Sequence, residues 1–289
     1  MKPPAFDYVR PATVAEALAL RDRHGEDAVF LAGGQSLMPS LNFRLAAPAV
    51  VIDLNGIAAL AGVEPQADGS LVAGAMTRHR FFETSPLIAE RLPLVARAMA
   101  SVAHVAVRNR GTIGGSLCHA DPSAEWPALC IACDASIVLQ GSAGSRRVAA
   151  DEFSLGVFTT AIAPGELLTA VAFPAWPKRR GWGFEEVSRR LGDFALVGVA
   201  CVVDLDDSGA CANARVVVFG AGDRPLLATR ALEALRGRRL DDGAVRVAAA
   251  RAREDVACRS DHHASAAYRS RLVEALTHRA LTHALQSTH

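Results

Sequence analysis

Apolar and polar positions change texture several times along this chain, and each change marks an element. After a proline-rich start, Thr13-Val-Ala-Glu16 has the spacing of a capping box, in which hydroxyl and carboxylate satisfy the first orphan helix amides. It predicts a helix over 14–24, ended by Gly25. The run Ala28-Val-Phe-Leu-Ala32 is short, apolar and partly β-branched, so it predicts a buried strand that leads straight into Gly33-Gly34. Residues 36–44 carry no clear period and are compatible with a helical turn, and Val50–Leu54 predicts another strand. The first 55 residues thus describe a β-α-β unit.

From Ile57 the elements shorten. The pattern predicts a strand at 71–75, a helix capped by Thr77, a longer helix from Pro93 to about Ala103, and a helix from a Ser123 cap to about Cys133. Strands are predicted at 136–140, 146–149 and 167–173, which gives an α+β fold with an antiparallel component. Pro174-Ala-Trp-Pro177-Lys-Arg-Arg-Gly181 resists both helix and strand. It divides the chain into residues 1–177, with subdomains of about 1–55 and 56–177, and residues 178–289. The second part predicts a three-stranded antiparallel meander (183–189, 195–205, 214–220), then helices at 227–235, 242–253 and 265–285.

Composition narrows the chemistry by exclusion. The 289 residues include 31 basic and 30 acidic side chains, a formal net charge of +1, so no global field selects nucleic acid or an anionic membrane. Basic runs such as Lys178-Arg179-Arg180 lack interleaved aromatics and read as solvated faces. The first residues lack a signal-peptide pattern and no stretch is apolar for long enough to span a bilayer, so a cytoplasmic protein is expected. Six scattered cysteines are expected as free thiols. Cys130-Ile-Ala-Cys133 sits in an apolar segment without a second ligand pair, and reads as buried core. His262-His263 reads as a helix-entry loop, and no metal site is expected in the chain.

No P-loop, G-x-G-x-x-G, H-E-x-x-H or G-x-S-x-G pattern is present. What remains is a pair of glycine loops, Ala32-Gly33-Gly34-Gln35-Ser36 and Arg110-Gly111-Thr112-Ile113-Gly114-Gly115-Ser116. Each is open to two readings, a tight structural turn or a backbone cradle. In the second reading, glycines adopt positive φ, and the amides of Gly33, Gly34 and Gln35, with those near Gly114, Gly115 and Ser116, face the two negative charges of a dinucleotide pyrophosphate. Ser36, Thr112 and Ser116 add hydroxyl donors.

Ala32-Gly-Gly-Gln-Ser-Leu-Met-Pro39, Thr112-Ile-Gly-Gly-Ser116 with Ala120-Asp-Pro122, Arg189-Arg190-Leu-Gly-Asp193-Phe-Ala-Leu-Val197 and Ser265-Ala-Ala-Tyr268-Arg occur in that order. Together they resemble the FAD-binding medium subunit of the molybdenum hydroxylases, which include carbon monoxide dehydrogenase and bacterial xanthine dehydrogenases. The resemblance implies a two-subdomain FAD-binding domain of the p-cresol methylhydroxylase type, followed by a smaller flavoprotein carboxy-terminal domain. It places FAD between the subdomains, against Ala32, Gly33, Gly34, Gln35, Ser36 and Leu37 on one side. On the other it implies Gly111, Thr112, Ile113, Gly114, Gly115, Ser116, Ala120 and Asp121, with Asp193 and Phe194 from the second part. Asp121 and Asp193 fall near the ribityl chain or ring, or act only as loop caps.

The same resemblance implies partners: a large molybdopterin subunit where substrate is oxidised and a small subunit with two [2Fe–2S] clusters, assembled as a dimer of heterotrimers. FAD here relays electrons to a terminal acceptor, so no catalytic acid, base or nucleophile is expected in this chain. A self-sufficient FAD oxidase and a non-catalytic nucleotide-binding protein stay open as alternatives. The role of Arg110 stays open between phosphate, a neighbouring subunit and solvent.

Overall fold

The computed structural model describes residues 2–288. Its first sheet is parallel, in the order β1 (Asp7–Val9), β3 (Val50–Asp53), β2 (Ala28–Leu31), with helices α1 (Val14–His24) and α2 (Leu37–Asn42) between strands. The predicted cap forms with a shifted second bond: Thr13 Oγ1 accepts from the Glu16 amide at 3.1 Å, and Glu16 Oε2 accepts from the amide of Ala12, one residue before the cap, at 2.8 Å. Strand β1 was absent from the sequence pattern because it has three residues and a mostly exposed face. Central β3 is buried at all four positions, three of them apolar and the fourth the polar Asp53.

A five-stranded antiparallel sheet follows, in the order β4 (Val63–Pro65), β5 (Leu71–Gly74), β10 (Leu167–Phe173), β6 (Ser136–Gly141), β7 (Gly144–Ala149). Between β5 and β6 run six short helices: α3 (His79–Thr84), α4 (Pro86–Arg91), α5 (Pro93–Ala98), α6 (Val105–Arg108), α7 (Ile113–His119) and α8 (Glu125–Ala132). Helix α9 (Ala150–Phe153) and a small hairpin, β8 (Ser154–Gly156) with β9 (Thr159–Thr160), precede β10.

Three local expectations change here. Thr77 does not cap α3, because its hydroxyl donates to the Gly62 carbonyl at 2.7 Å and Arg78 takes the cap position. The helix from Pro93 stops at Ala98, and the chain turns to reach a left-handed Ala103 at φ 45°. Ser123 is replaced as cap of α8 by Ala124, since the Ser123 amide is drawn into a turn by Asp121 Oδ1 at 2.8 Å.

The last sheet is antiparallel: β11 (Arg180–Ser188), β12 (Ala195–Leu205), β13 (Cys211–Phe219) and β14 (Leu226–Leu227). The expected three-stranded meander is therefore extended by a two-residue fourth strand. Strand β11 starts three residues early because Arg180 pairs with Asp204 on β12 through two bonds of 2.7 and 2.8 Å. Helices α10 (Thr229–Leu235), α11 (Asp242–Asp255) and α12 (Ala266–Gln286) cover one face. Gly181 and Gly183 let α12 lie directly on β11, since a Cβ at either would strike the carbonyl of Ala284 or Ala280. The opposite face of this sheet, with Ala200, Val202, Val217 and Phe219, joins the core built around Trp126 and α8. Cys130 and Cys133 are buried there, and burial pushes the Cys133 thiol up to about 12.

Candidate cofactor site

The two glycine loops meet. Strand β2 delivers Ala32 to Ser36 to the start of α2, and there the amides of Gly33, Gly34, Gln35, Ser36 and Leu37 donate to no protein acceptor among the described residues. Only Gly34 in this loop has positive φ, 73°. The Gln35 side chain folds back onto the Gly33 carbonyl at 3.0 Å, and the Ser36 hydroxyl caps nothing. Five consecutive unspent amides at a chain turn are donors of the kind that can face an anion.

The second loop is built differently from the expectation. None of Gly111, Gly114 and Gly115 has positive φ, and Gly114 and Gly115 lie in the first turn of α7, capped by Thr112. Their amides are spent: Gly111 donates to Val107, Ile113 to Thr77, Gly114 to Ala75, Gly115 to Thr112 Oγ1 and Ser116 to the Thr112 carbonyl. Of this run, the Thr112 amide alone is left without a protein acceptor among the described residues. These glycines are required by close approach. A Cβ on Gly114 would sit 2.7 Å from the Ala75 methyl, one on Gly111 would sit 2.5 Å from the His79 ring, and one on Gly115 would sit 2.9 Å from Thr112 Oγ1. Gly33 completes the fit, because a Cβ there would meet the Arg110 carbonyl and the Gly111 α-carbon. The first loop thus offers backbone donors, and the second offers shape, the Ser116 and Thr112 hydroxyls and one amide.

Both loops line a cavity of about 880 Å³. Its wall includes Ala32, Gly33, Gly34, Gln35, Ser36, Leu37, Gly111, Thr112, Gly114, Gly115, Ser116, Asp121, Asp193 and Phe194. Ile113 and Ala120 are outside it: Ile113 is fully buried in the core behind the loop, and Ala120 turns the chain at φ 50°. Arg110 also lies outside the wall, and its carbonyl is the atom a Cβ at Gly33 would meet first. Asp121 spends one oxygen on the Ser123 amide, while Asp193 and Phe194 are exposed at the rim. Gly192, at φ 86°, lets their loop pack on Ala103 and His104.

Sequence reasoning missed part of the wall. Thr160 and residues 162–168 add to one side, and His79 and Glu125 supply polar groups to the wall. His79 is buried and accepts from Trp126 Nε1 at 2.8 Å, and burial, with help from the Arg108 and Arg78 charges, pulls its pKa down to about 3. Glu125 is 7% exposed, and burial with the Asp121 charge lifts it to about 7. Glu186, on β11, is raised to about 8 by burial and by the charge of Glu125, and its Oε2 is buried without a partner. A lone His in a helix start and a Glu before Trp carry no pattern that marks them from sequence.

A large cavity with a strip of free amides fits a phosphate-bearing dinucleotide, and its volume lies in the upper part of the range of about 300–1,000 Å³ for ligand sites. Comparison with known proteins gives the same class. Residues 4–176 match the model described as the FAD binding domain in molybdopterin dehydrogenase, and residues 182–284 match the CO dehydrogenase flavoprotein C-terminal domain. The chain therefore belongs to the family of FAD-binding medium subunits of molybdenum hydroxylases. It is 40% identical over 285 residues to the 6-hydroxypseudooxynicotine dehydrogenase complex subunit alpha of Paenarthrobacter nicotinovorans, covering 99% of this chain and 96% of that one. Among solved structures, carbon monoxide dehydrogenase from Hydrogenophaga pseudoflava superposes with a TM-score of 0.96 at 37% identity, over 99% of both chains. Quinoline 2-oxidoreductase from Pseudomonas putida 86 superposes at 0.94 and 39% identity, over 100% of this chain and 99% of that one. The expected fold, FAD cofactor and oxidoreductase class are borne out, and partner subunits of this family carry the molybdenum cofactor and iron–sulfur clusters.

Proposed function

We propose that this chain is the electron-relay subunit of a multi-subunit molybdenum hydroxylase. It takes electrons from iron–sulfur clusters on a small partner, holds them on FAD and passes them to a terminal acceptor, while a large molybdopterin subunit oxidises a small molecule, an N-heterocycle or CO. The observation that carries this reading is the strip of five unspent amides, residues 33–37, opening on the 880 Å³ cavity. Bound there, FAD supplies reversible electron storage. The chain's own part is to bind and orient: the amides of the first loop neutralise phosphate charge, and Thr112 and Ser116 offer hydroxyls. Asp121 and Asp193 are placed to accept from hydroxyl or N–H groups. The division proposed is residues 1–177 for FAD and 178–289 for the second unit, in a cytoplasmic dimer of heterotrimers. No helix of the described residues is long and apolar enough to cross a membrane.

The test is purification from the native host followed by an absorption spectrum. A flavin spectrum, with co-purification of a molybdenum-bearing large chain and a [2Fe–2S] small chain, is expected. A lone flavoenzyme that turns over substrate without partners would overturn the relay, and a colourless chain releasing no FAD would overturn the site.

A further inference from the structure

A chain of side-chain bonds behind the cavity ties the two glycine loops to one another. It begins at Asp53, the last residue of β3, which is 6% exposed and accepts from the Tyr8 hydroxyl. Burial raises the Asp53 carboxyl, but the bonds from Tyr8 and Asn55 outweigh it and hold the group below its ordinary range. Asp53 Oδ1 accepts from the Asn55 amide at 3.0 Å and from Asn55 Nδ2 at 2.5 Å. That anchor fixes the Asn55 carboxamide, whose Nδ2 also donates to the Ala32 carbonyl at 2.9 Å, where the first loop begins. Its Oδ1 accepts from Arg78 Nη2 at 2.5 Å, and Arg78 Nη1 donates to the Arg110 carbonyl, where the second loop begins.

The Arg110 carbonyl is the contact on which Gly33 closes, since it is the atom a Cβ at Gly33 would strike. Arg78 therefore holds from one side the group that the first loop packs against from the other. Neither Asn55 nor Arg78 is part of the cavity wall. Both are half-buried, and Arg78 loses solvation while donating to a carboxamide and a carbonyl, with the Asp53 charge offsetting only part of that loss. Desolvating a guanidinium to serve two neutral acceptors is unfavourable unless the geometry it fixes is needed.

We propose that Asn55 and Arg78 are positioning residues for the dinucleotide: a clip that sets the spacing of the two loops, so that FAD affinity depends on side chains that never touch it. This rests on the FAD reading above. Two charge-assisted bonds run through Arg78, and losing the worth of one converts to about a ten- to hundred-fold change in a dissociation constant.

FAD binding to the deflavinated full-length chain, followed by quenching of flavin fluorescence, tests the clip. Arg78→Met and the near-isosteric Asn55→Asp, which keeps the acceptor for Arg78 but removes the donor to Ala32 and sets a second carboxylate beside Asp53, are each expected to weaken FAD at least ten-fold. Arg78→Lys, which keeps one donor, is expected to fall between Arg78→Met and wild type. In the double variant Asn55→Asp/Arg78→Met the losses are expected to be smaller than additive, because both break one chain of bonds. A merely structural role would lower the melting temperature of the apoprotein and leave the affinities of the folded variants alike. Wild-type affinity in folded Asn55→Asp and Arg78→Lys would overturn the clip, and so would full additivity. Absence of FAD binding by the wild-type chain would instead overturn the reading on which the clip rests.

Discussion

Trp126 Nε1 donates to His79 Nδ1 at 2.8 Å, with both rings buried. The bond makes Nδ1 an acceptor, so the neutral ring carries its proton on Nε2. That nitrogen faces Gly111, where a Cβ would come within 2.6 Å. The second glycine loop thus rests on an imidazole whose tautomer is set from the core.

The pair makes the protein acid-sensitive. His79 is held down to about 3, first by burial, so it stays neutral in the fold while the unfolded chain takes a proton near 6.5. Stability from this group is complete above pH 6.5 and is lost as pH falls toward 3, at about 1.4 kcal/mol per pH unit. In His79→Gln this part of the slope is expected to vanish. Chemical unfolding at pH 7, 6 and 5 reads it, and identical slopes in the two proteins would refute the assignment.

Glu125 predicts the opposite sign. Its folded value of about 7 lies above its ordinary 4.5, so the native state holds a proton and stability falls as pH rises from 4.5 through 7. Glu125→Gln cannot ionise, and is expected to be more stable than wild type at pH 8 by up to about 3 kcal/mol and equal to it near pH 4. Melting curves at the two pH values give the comparison. A variant less stable at pH 8 would show that the carboxylate is compensated.

Gly115→Val is expected to weaken FAD retention while the fold survives. The added carbon would crowd Thr112 Oγ1, at 2.9 Å, and the Ala32 methyl, at 3.3 Å, so it would displace the α7 cap and part the loops. Flavin-to-protein ratio after gel filtration, beside far-ultraviolet circular dichroism, measures both. Full FAD occupancy would remove this glycine from the cradle.

Gly183→Val addresses the other end of the chain. With the Ala280 carbonyl against the would-be Cβ, α12 has to lift from β11, at a cost of about 1–3 kcal/mol or more. Thermal unfolding should show the loss. An unchanged melting temperature would mean that the helix contact is loose.

Much of this was legible in the residues, for definite reasons. The α1 capping box, the apolar run of β3 and the long β12 each express one period without competition. The short helices before β6 differ from their local pattern in length and capping, because Thr77 and Ser123 hydrogen-bond across the structure and in a turn, choices that no local pattern encodes. At the site, both loops were visible as glycine clusters, but their division of labour was not. Whether a glycine is needed for φ or for contact depends on Ala75, His79 and Arg110, which only the fold brings near. Asn55 and Arg78 carry no signal, because the bonds that join them to the two loops and to each other span 23 to 32 residues of sequence.

Strand β12 shows its even-numbered side chains, Ala200 and Val202, to the core around Trp126, and its odd-numbered ones, Val197 to Val203, to the helices of the last sheet. Arg215, on the neighbouring strand, reaches across to the Ile131 carbonyl of α8 at 2.7 Å. A fragment ending near residue 177 would therefore keep every glycine of both loops and still lack the wall that shuts one side of its own interior. The part of the chain after residue 177 closes the core beneath the cavity, in addition to lending Asp193 and Phe194 to its rim.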